Sequence, residues 1–166
     1  MIDSENKVLF ARLKETAVLP SKREEDAGYD IYPCFEEEEI IILPHETAVI
    51  STGIATAFPS NIVAVIKERG STGKMGFGQR GGVYDSGFRG EWTVSITNHN
   101  DKRIIISKNS ETLKRQNNDI VYPYGKAIAQ ILFVPLAELS AVEVDEKTLL
   151  SVKSERGIGR FGSSNK

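Results

Sequence analysis

The segment GGVYDSGFRG (81–90) contains the residue best placed for chemistry, the single carboxylate Asp85. Four glycines flank it, together with the aromatic residues Tyr84 and Phe88. Glycine is needed where the backbone takes positive φ or lies very close to another group, so the segment predicts a tight turn open to a ligand. Aspartate is ionised at neutral pH, with a reference pKa of about 3.9, and can accept a proton. The alternative is that Asp85 only forms the turn, which aspartate favours.

Two other glycine-rich segments match nucleotide-binding motifs incompletely. In GSTGK (70–74), Glu68 stands where a P-loop has its first glycine, and Met75 where it has Ser or Thr. GIGRFG (157–162) matches G-x-G-x-x-G, but too little sequence follows for the required helix. Both motifs are therefore rejected. Backbone N–H groups freed by glycine, with Arg and Ser nearby, still suit an anion.

Composition narrows the class of protein. The 166 residues suffice for one domain. A net charge of −2 does not favour nucleic-acid binding. The single cysteine, Cys34, excludes an internal disulfide and fits a reducing compartment. With neither an apolar signal region nor a run of about 20 apolar residues, we expect a cytoplasmic protein without membrane association.

Short segments rich in Val, Ile and Thr predict an all-β sandwich or barrel. They are EIIIL (39–43), TAVIS (47–51), NIVAVIKE (61–68), EWTVSITN (91–98), RIIIS (103–107) and AIAQILFVPL (127–136). In 91–98, Trp92, Val94 and Ile96 alternate with polar residues, which indicates a half-buried strand.

Sustained helical periodicity is hard to find. SETLKRQNND (110–119) predicts a surface turn or loop, and EEDAGYD (24–30) is too short for a helix. FEEEE (35–39) is most simply a solvated loop. SERGIGRFGSSNK (154–166) is too poor in apolar residues to fold alone. It is either a loose tail or a segment that orders over a ligand or a neighbouring subunit.

Five segments together resemble the five motifs of the trimeric dUTP diphosphatase (dUTPase) family, in order and spacing. They are AGYDIY (27–32), ERGSTGKMG (68–76), GGVYDSGFRGEW (81–92), GKAIAQILF (125–133) and RGIGRFGSS (156–164). The resemblance implies a single-domain, jelly-roll-like all-β protomer (1–166) that forms a homotrimer with shared active sites. Residues 154–166 would be a flexible tail that closes a site, its own or a neighbour's. The implied reaction is Mg²⁺-assisted hydrolysis of dUTP to dUMP and pyrophosphate, which keeps uracil out of DNA and supplies dUMP.

By the same resemblance, Asp85 is the catalytic group that activates water for attack on the α-phosphorus. The turn at Gly82, Val83 and Tyr84 would contact the base through its backbone. Tyr84 replaces the family's usual aliphatic residue. Phe88 stands where the family usually has tyrosine, and would cover the deoxyribose and exclude a 2′-hydroxyl. From the residues alone, Phe88 is most simply a core aromatic.

The resemblance also assigns the phosphate and metal positions. Arg69 and Ser71 would lie beside the phosphates, with Gly70 where the family has serine. Gln130 would contact the base or phosphates, although it could instead be a buried amide bonded to backbone. Asp30 would bind Mg²⁺ through water, which suits an ion that keeps several waters. A surface acid is the alternative for Asp30.

In the tail, the resemblance makes Arg156 the γ-phosphate ligand, since its fork can hold two oxygens. Phe161 would stack on uracil, an interaction worth about 1–3 kcal/mol in nucleic-acid complexes. Gly162, Ser163 and Ser164 complete the substrate-binding tail, the serines as phosphate hydrogen-bond donors.

Two rival functions share features with this sequence. A dCTP deaminase shares the fold but needs a glutamate ten residues after the hairpin aspartate, where this chain has Ser95. A regulatory protein is the second rival, because some phage proteins of this fold bind repressors. Residues 101–125 would then form a partner surface, rather than just a longer surface hairpin.

Overall fold

The computed structural model describes residues 7–113 and 118–159. The chain divides into two units, Met1–Leu136 and Ala137–Lys166. The first unit carries the strands Leu9–Arg12 (β1), Tyr29–Ile31 (β2), Glu39–Ile42 (β3), Thr47–Ser51 (β4), Ile54–Ala57 (β5), Ile62–Lys67 (β6), Phe77–Arg80 (β7), Val83–Tyr84 (β8), Thr93–Asn98 (β9), Ile104–Ser107 (β10), Ile120–Pro123 (β11) and Ala129–Pro135 (β12). Three short helices are Gly70–Lys74 (α1), Ser110–Leu113 (α2) and Glu146–Ser151 (α3).

The strands form four small sheets, in the orders β1-β5, β11-β10-β3, β2-β12-β6-β8 and β4-β9-β7. The β10–β11 pair is parallel, and the other pairs are antiparallel. Most neighbours in a sheet are distant in sequence, so the chain crosses repeatedly from sheet to sheet. The architecture is all-β, as the strand pattern predicts, and it fits the jelly-roll-like fold that the motif resemblance implies.

The core is made largely of isoleucine, with Trp92 as its largest fully buried side chain. β9 shows how the pattern builds it: Trp92, Val94 and Ile96 are at most 2% exposed, whereas Thr93 and Ser95 are only partly buried. Fully burying one such apolar side chain is worth about 1.5–3 kcal/mol. The alternation predicted for 91–98 is thus confirmed from Trp92 to Ile96, whereas Thr97 and Asn98 beyond it are also buried.

The six predicted strands correspond to β3, β4, β6, β9, β10 and β12, with ends that differ by at most two residues. The loop expected at 110–119 is wrong for Ser110–Leu113, which form α2 with Ser110 buried. No helix in the described residues is long and apolar enough to cross a membrane.

The second unit buries almost nothing of its own, because residues 137–158 are all exposed. Its helix α3 is capped by Asp145, whose side chain accepts the backbone N–H of Thr148 at 2.6 Å. This N-cap satisfies one of the unpaired amides at the start of the helix.

Candidate active site

Three neighbouring strands bring predicted polar residues to one level of a sheet. Gln130 of the central strand β12 lies opposite Asp30 of β2 on one side and opposite Lys67 of β6 on the other. Directly opposed residues have Cβ atoms about 4.5–5.5 Å apart on the same face. Since β6 leads directly into Arg69, the segments 27–32, 68–76 and 125–133 meet here.

Arg69 is held in place by several groups. Its Nε lies 2.7 Å from Asp30 Oδ1, and its Nη1 donates to the Ala127 carbonyl at 3.3 Å. The Tyr122 hydroxyl donates to the same carbonyl at 2.6 Å. The Arg69 backbone N–H donates to Oγ1 of the buried Thr72 at 3.0 Å, which anchors the start of α1. The Arg69 and Asp30 side chains remain about one-third exposed, so the oriented guanidinium is within reach of a ligand.

The Gln130 amide is fixed from two sides. Its Nε2 donates to the Glu68 carbonyl at 2.8 Å. Its Oε1 lies only 2.6 Å from where a Cβ on Gly28 would stand, so a side chain there would displace it. Gln130 is therefore bonded to backbone, as one alternative expected, but it is only partly buried and also lines the cleft described next.

These residues border one cleft with a volume of about 700 Å³. That volume falls within the roughly 300–1,000 Å³ typical of small-molecule sites. Of the predicted site residues, Asp30, Arg69, Gly70, Ser71 and Gln130 line it. The remaining lining residues are Ser21, Lys22, Arg23, Asp26, Ala27 and Gly28. The polar lining consists of three cations, two hydroxyls, one amide and two carboxylates. Cations and hydroxyls suit a phosphate-bearing ligand, although the carboxylates of Asp26 and Asp30 already pair with two of the cations.

The loop before Gly28 forms a wall of the cleft that the sequence analysis missed. Lys22 Nζ donates to three carbonyls of its own loop, at distances of 2.8 to 3.3 Å, the shortest to Asp26. The Arg23 guanidinium donates twice to the Asp26 carboxylate, at 2.9 Å each. This hydrogen bonding lowers the pKa of Asp26. The available signal was the pair of adjacent cations Lys22 and Arg23, separated from AGYD by three residues.

Glu68 braces the turn between β6 and β7. Its carboxylate accepts the Gln79 N–H at 2.8 Å and lies 3.2 Å from Lys67 Nζ. Burial acts to raise the pKa of Glu68, but hydrogen bonds from Gln79, its own backbone and Lys67 outweigh burial and leave it lowered. Glu68 is thus an ionised structural carboxylate beside the site.

The hairpin 81–90 is attached at the β8 edge of the same sheet. The Ile66 N–H donates to the Gly82 carbonyl at 2.6 Å, and a Cβ on Gly82 would lie 2.4 Å from the Ile66 carbonyl oxygen. Glycine is therefore required at position 82. Asp85 is exposed, and its carbonyl accepts the Phe88 N–H at 3.1 Å in a turn. The Phe88 side chain is 43% exposed, so the core alternative for Phe88 is wrong.

Within one protomer, the hairpin and the cleft lie apart. Tyr84 pairs with Ala64 of β6, whereas Gln130 pairs with Lys67. These positions on β6 are separated by about 10 Å, at roughly 3.3 Å per residue. Because β8 runs antiparallel to β6, Asp85 follows Tyr84 in the direction away from Lys67. None of Gly82, Val83, Tyr84, Asp85 and Phe88 lines the cleft.

In the second unit, Arg156 forms a turn with its neighbours. Its Nε donates to the Gly159 carbonyl at 2.9 Å, and its backbone N–H donates to Ser154 Oγ at 3.3 Å. Gly157 has φ +53°, in the left-handed region that glycine tolerates. Phe161, Gly162, Ser163 and Ser164 lie outside the described residues.

Among the described residues, no group of three or more His, Cys, Asp or Glu side chains could hold a metal ion. Mg²⁺ does not require three protein ligands, because it commonly uses one or two carboxylates together with substrate phosphates and water. Asp30 and Asp26 are the two carboxylates that line the cleft, and each is already paired with an arginine, Arg69 and Arg23.

An all-β protomer whose cleft is of nucleotide size and carries cations, hydroxyls and two carboxylates fits one class of protein, those that bind an anionic, phosphate-bearing small molecule. Comparison with known proteins identifies the family. The dUTPase family model matches residues 14–111. The deoxyuridine 5′-triphosphate nucleotidohydrolase of Clostridium tetani is 35% identical over 93% of each chain. This chain belongs to the dUTPase family, which confirms the family and the enzyme class, dUTP diphosphatase, predicted from its motifs.

Solved structures with a similar fold are also dUTPases. A mutant dUTPase of Staphylococcus bacteriophage 80alpha, solved with dUpNHpp, has a TM-score of 0.74 and 25% identity, over 96% of this chain and 98% of the other. A mutant dUTPase from phage phi11 of S. aureus, described with a structural Mg(II) ion, has a TM-score of 0.66 and 22% identity, over 85% of this chain and 98% of the other. At 22% identity, the similarity to this second structure supports the fold alone.

Proposed function

We propose that this chain hydrolyses dUTP to dUMP and pyrophosphate at sites that subunits of a homotrimer share. We also propose that residues 1–166 are one dUTPase-like domain whose tail, 154–166, closes a site. The observation that carries this proposal is the cleft, where Asp30, Arg69, Ser71 and Gln130 converge from three separate motif segments.

The phosphates of dUTP would lie along the Arg69 side of the cleft. Arg69 offers a planar fork of N–H donors that suits phosphate oxygens. Two of its nitrogens are already bonded to Asp30 and Ala127, so the guanidinium need not be reoriented when substrate arrives. Ser71, with its hydroxyl, and Gly70, with a backbone free of side-chain bulk, border the same space. An arginine that is oriented before the substrate binds lowers the entropic cost of reaching the reactive geometry.

Asp85 is the proposed general base. It accepts a proton from water as the water oxygen forms a bond to the α-phosphorus. The bond from that phosphorus to the bridging oxygen of the β-phosphate breaks, and pyrophosphate leaves. The exposed position of Asp85 at a turn lets it enter a site built partly by another subunit.

Recognition of the nucleoside is assigned to the hairpin and the tail. The backbone around Gly82, Val83 and Tyr84 would bind uracil edges, and the Phe88 ring would pack on the deoxyribose. Phe161 would stack on uracil from the opposite side. Arg156 would hold the γ-phosphate, and Gly162, Ser163 and Ser164 would complete the closed tail.

Mg²⁺ is the proposed cofactor, and when bound it neutralises triphosphate charge and limits the geometries the phosphates can take. Asp30 and Asp26 are the carboxylates in the cleft that would face its water shell. Asp30 would then accept hydrogen bonds both from the water shell of the metal and from Arg69.

The assignment of shared sites rests on the separation between cleft and hairpin. Asp85 follows a strand that meets β6 about 10 Å from the level of Gln130 and continues away from it. A base must reach its water within hydrogen-bonding distance, about 2.6–3.2 Å. A neighbouring subunit that supplies the hairpin satisfies both conditions.

The first experiment measures pyrophosphate release from dUTP, dCTP, dTTP and UTP with Mg²⁺. We expect release from dUTP alone, and a loss of at least about 100-fold in Asp85→Asn. Asp101→Asn, which alters an exposed carboxylate beside His45, is the matched control and should keep wild-type activity. Equal turnover of dCTP or UTP, or full activity in Asp85→Asn, would contradict the proposal.

A second experiment tests whether sites are shared. Arg69→Met and Asp85→Asn subunits, each inactive as homotrimers, are mixed by co-refolding. If cleft and hairpin come from different subunits, a random equal mixture recovers roughly a quarter of wild-type activity, because about one site in four receives both intact parts. If each site lies within one subunit, mixing restores nothing.

A regulatory protein partner that binds residues 101–125 stays a prediction from the sequence. Asp85→Asn again provides the test, because a variant that loses hydrolysis but still binds a partner would separate the two activities.

A further inference from the structure

Tyr84 ties the two ends of the hairpin together. Its hydroxyl donates to the Thr93 carbonyl at 2.6 Å and accepts the Thr93 N–H at 3.1 Å. One side chain thus pairs both backbone groups of the first residue of β9. Residues 85–92, which include Asp85 and Phe88, lie between these two anchoring points. The Tyr84 phenol therefore joins the two ends of the loop that carries the proposed base, while Glu91 and Trp92 attach one of those ends to Gly53 and Ile54.

The Tyr84 ring also links the core to the exposed part of the hairpin. It stacks on the fully buried Trp92, with ring centroids 4.3 Å apart and an interplanar angle of 21°. On its other side lies the Phe88 ring, at 6.1 Å and 51°. Phe88 in turn covers Gly90, where a Cβ would stand 2.5 Å from the Phe88 ring. The position of the exposed Phe88 ring is thus set by Tyr84 on one side and by the backbone of Gly90 on the other.

An aliphatic residue at position 84 could fill space against Trp92, but it has no group to pair with Thr93. The chain has phenylalanine at 88, so the phenol nearest the loop is the one on Tyr84. The side-chain contacts of Tyr84 are with Thr93, Phe88 and Trp92, all within the hairpin and its neck, so its hydroxyl is already engaged in holding the loop.

We propose that Tyr84 is a positioning residue: its hydroxyl fixes the neck of the hairpin and thereby Asp85, and its ring supports Phe88. The assignment to catalysis rests on the proposed function, whereas the control of hairpin geometry can be measured without turnover. Because a misplacement of about 1 Å can cost roughly 100-fold in rate, even a small loosening of the neck becomes visible in kcat.

The test uses Tyr84→Phe, which removes only the hydroxyl, and Tyr84→Leu, which also removes the ring. We expect Tyr84→Phe to lower kcat for dUTP about tenfold, with KM within about twofold. Tyr84→Leu should in addition lower the preference for dUTP over UTP about tenfold, because the Phe88 ring loses its support. Tyr124→Phe, which removes a phenol from a ring pair with Phe35, is the matched control and should leave kcat and the preference unchanged.

Two readouts are independent of turnover. Amide hydrogen exchange at Thr93 should accelerate about tenfold in Tyr84→Phe, because the Thr93 N–H loses the hydroxyl to which it donates. Trp92 is the single tryptophan, so its fluorescence should change in Tyr84→Leu and much less in Tyr84→Phe.

The outcomes separate the two proposals. If the wild type hydrolyses dUTP and both variants keep wild-type kcat and nucleotide preference below their melting temperatures, Tyr84 is only structural and the inference is overturned. If the wild type does not hydrolyse dUTP, the proposed function fails, and unchanged Thr93 exchange in Tyr84→Phe would overturn the positioning inference separately.

Discussion

Replacing Asp30 with asparagine tests how the cleft orients Arg69. Asparagine keeps the shape of the side chain but removes the charge that holds Arg69 Nε at 2.7 Å. The guanidinium would keep its weaker hydrogen bond to the Ala127 carbonyl at 3.3 Å and would be freer to rotate. We therefore expect Asp30→Asn to change activity far more than stability.

The expected changes in stability and activity follow from the solvent exposure of Asp30 and Arg69. Both partners are about one-third exposed, so water screens the ion pair and its net contribution to stability is at most about 1 kcal/mol. For a chain of this size, that corresponds to a fall in Tm of about 2–4 °C. An oriented hydrogen bond from a charged donor is worth about 1.5–3 kcal/mol. Losing that orientation toward phosphate should lower kcat/KM about 10- to 100-fold.

The assay measures kcat/KM for dUTP at several Mg²⁺ concentrations, with Tm from calorimetry. Asp119→Asn is the matched control, because it breaks another Asp–Arg pair, with Arg103 at 2.6 Å, away from the cleft. We expect it to lower Tm while leaving kcat/KM at the wild-type value. Full recovery of Asp30→Asn by excess Mg²⁺ would show that Asp30 acts through the metal alone, and unchanged kcat/KM would refute the reasoning entirely.

Two further predictions concern stability. Gly82→Ala places a Cβ 2.4 Å from the Ile66 carbonyl oxygen and should destabilise by about 1–3 kcal/mol, whereas Gly70→Ala, with nothing within 4 Å, should leave Tm nearly unchanged. Thermal melts check both, and equal Tm losses would contradict the steric argument. Hydrogen bonding from Arg103 lowers the pKa of Asp119, so the pair stabilises the fold above the ordinary carboxyl pKa of 3.8 and less as pH falls through the lowered value. Arg103→Met should therefore lower Tm at pH 7 but progressively less below about pH 4 in a pH series of melts, and a constant difference would argue against this linkage.

The parts of the fold that the sequence predicts are those with their own periodicity. The residues of 92–96 alternate between apolar and polar, and β9 forms as expected. β8 has only two residues and β2 only three, too few to show a period, and both exist because they pair with β6 and β12. α1 was missed because GSTGK contains two poor helix formers. Thr72 compensates through its bonds with the backbone of Arg69.

In the candidate site, too, some residues were predictable from the sequence and others were not. The motif resemblance pointed to Arg69 and Gln130, and both border the cleft. It could not point to Lys22, whose role is to hold carbonyls of a loop that no motif includes. The bonds of Tyr84 to Thr93 join residues across a hairpin whose neck geometry is set by sheet pairing. Such contacts depend on the folded backbone, which residue types alone do not specify.

The cleft and the hairpin differ in how much of their geometry a single protomer supplies. Backbone partners already hold Arg69 and Gln130, so the phosphate side needs no assembly to be ordered. Asp85 is exposed on a hairpin that follows β8 away from that cleft. If a second subunit completes the site, dilution must abolish turnover before it unfolds the protomer. Specific activity should then fall with protein concentration while far-UV circular dichroism stays constant. Constant specific activity down to concentrations where light scattering detects only monomer would place the whole reaction within one chain.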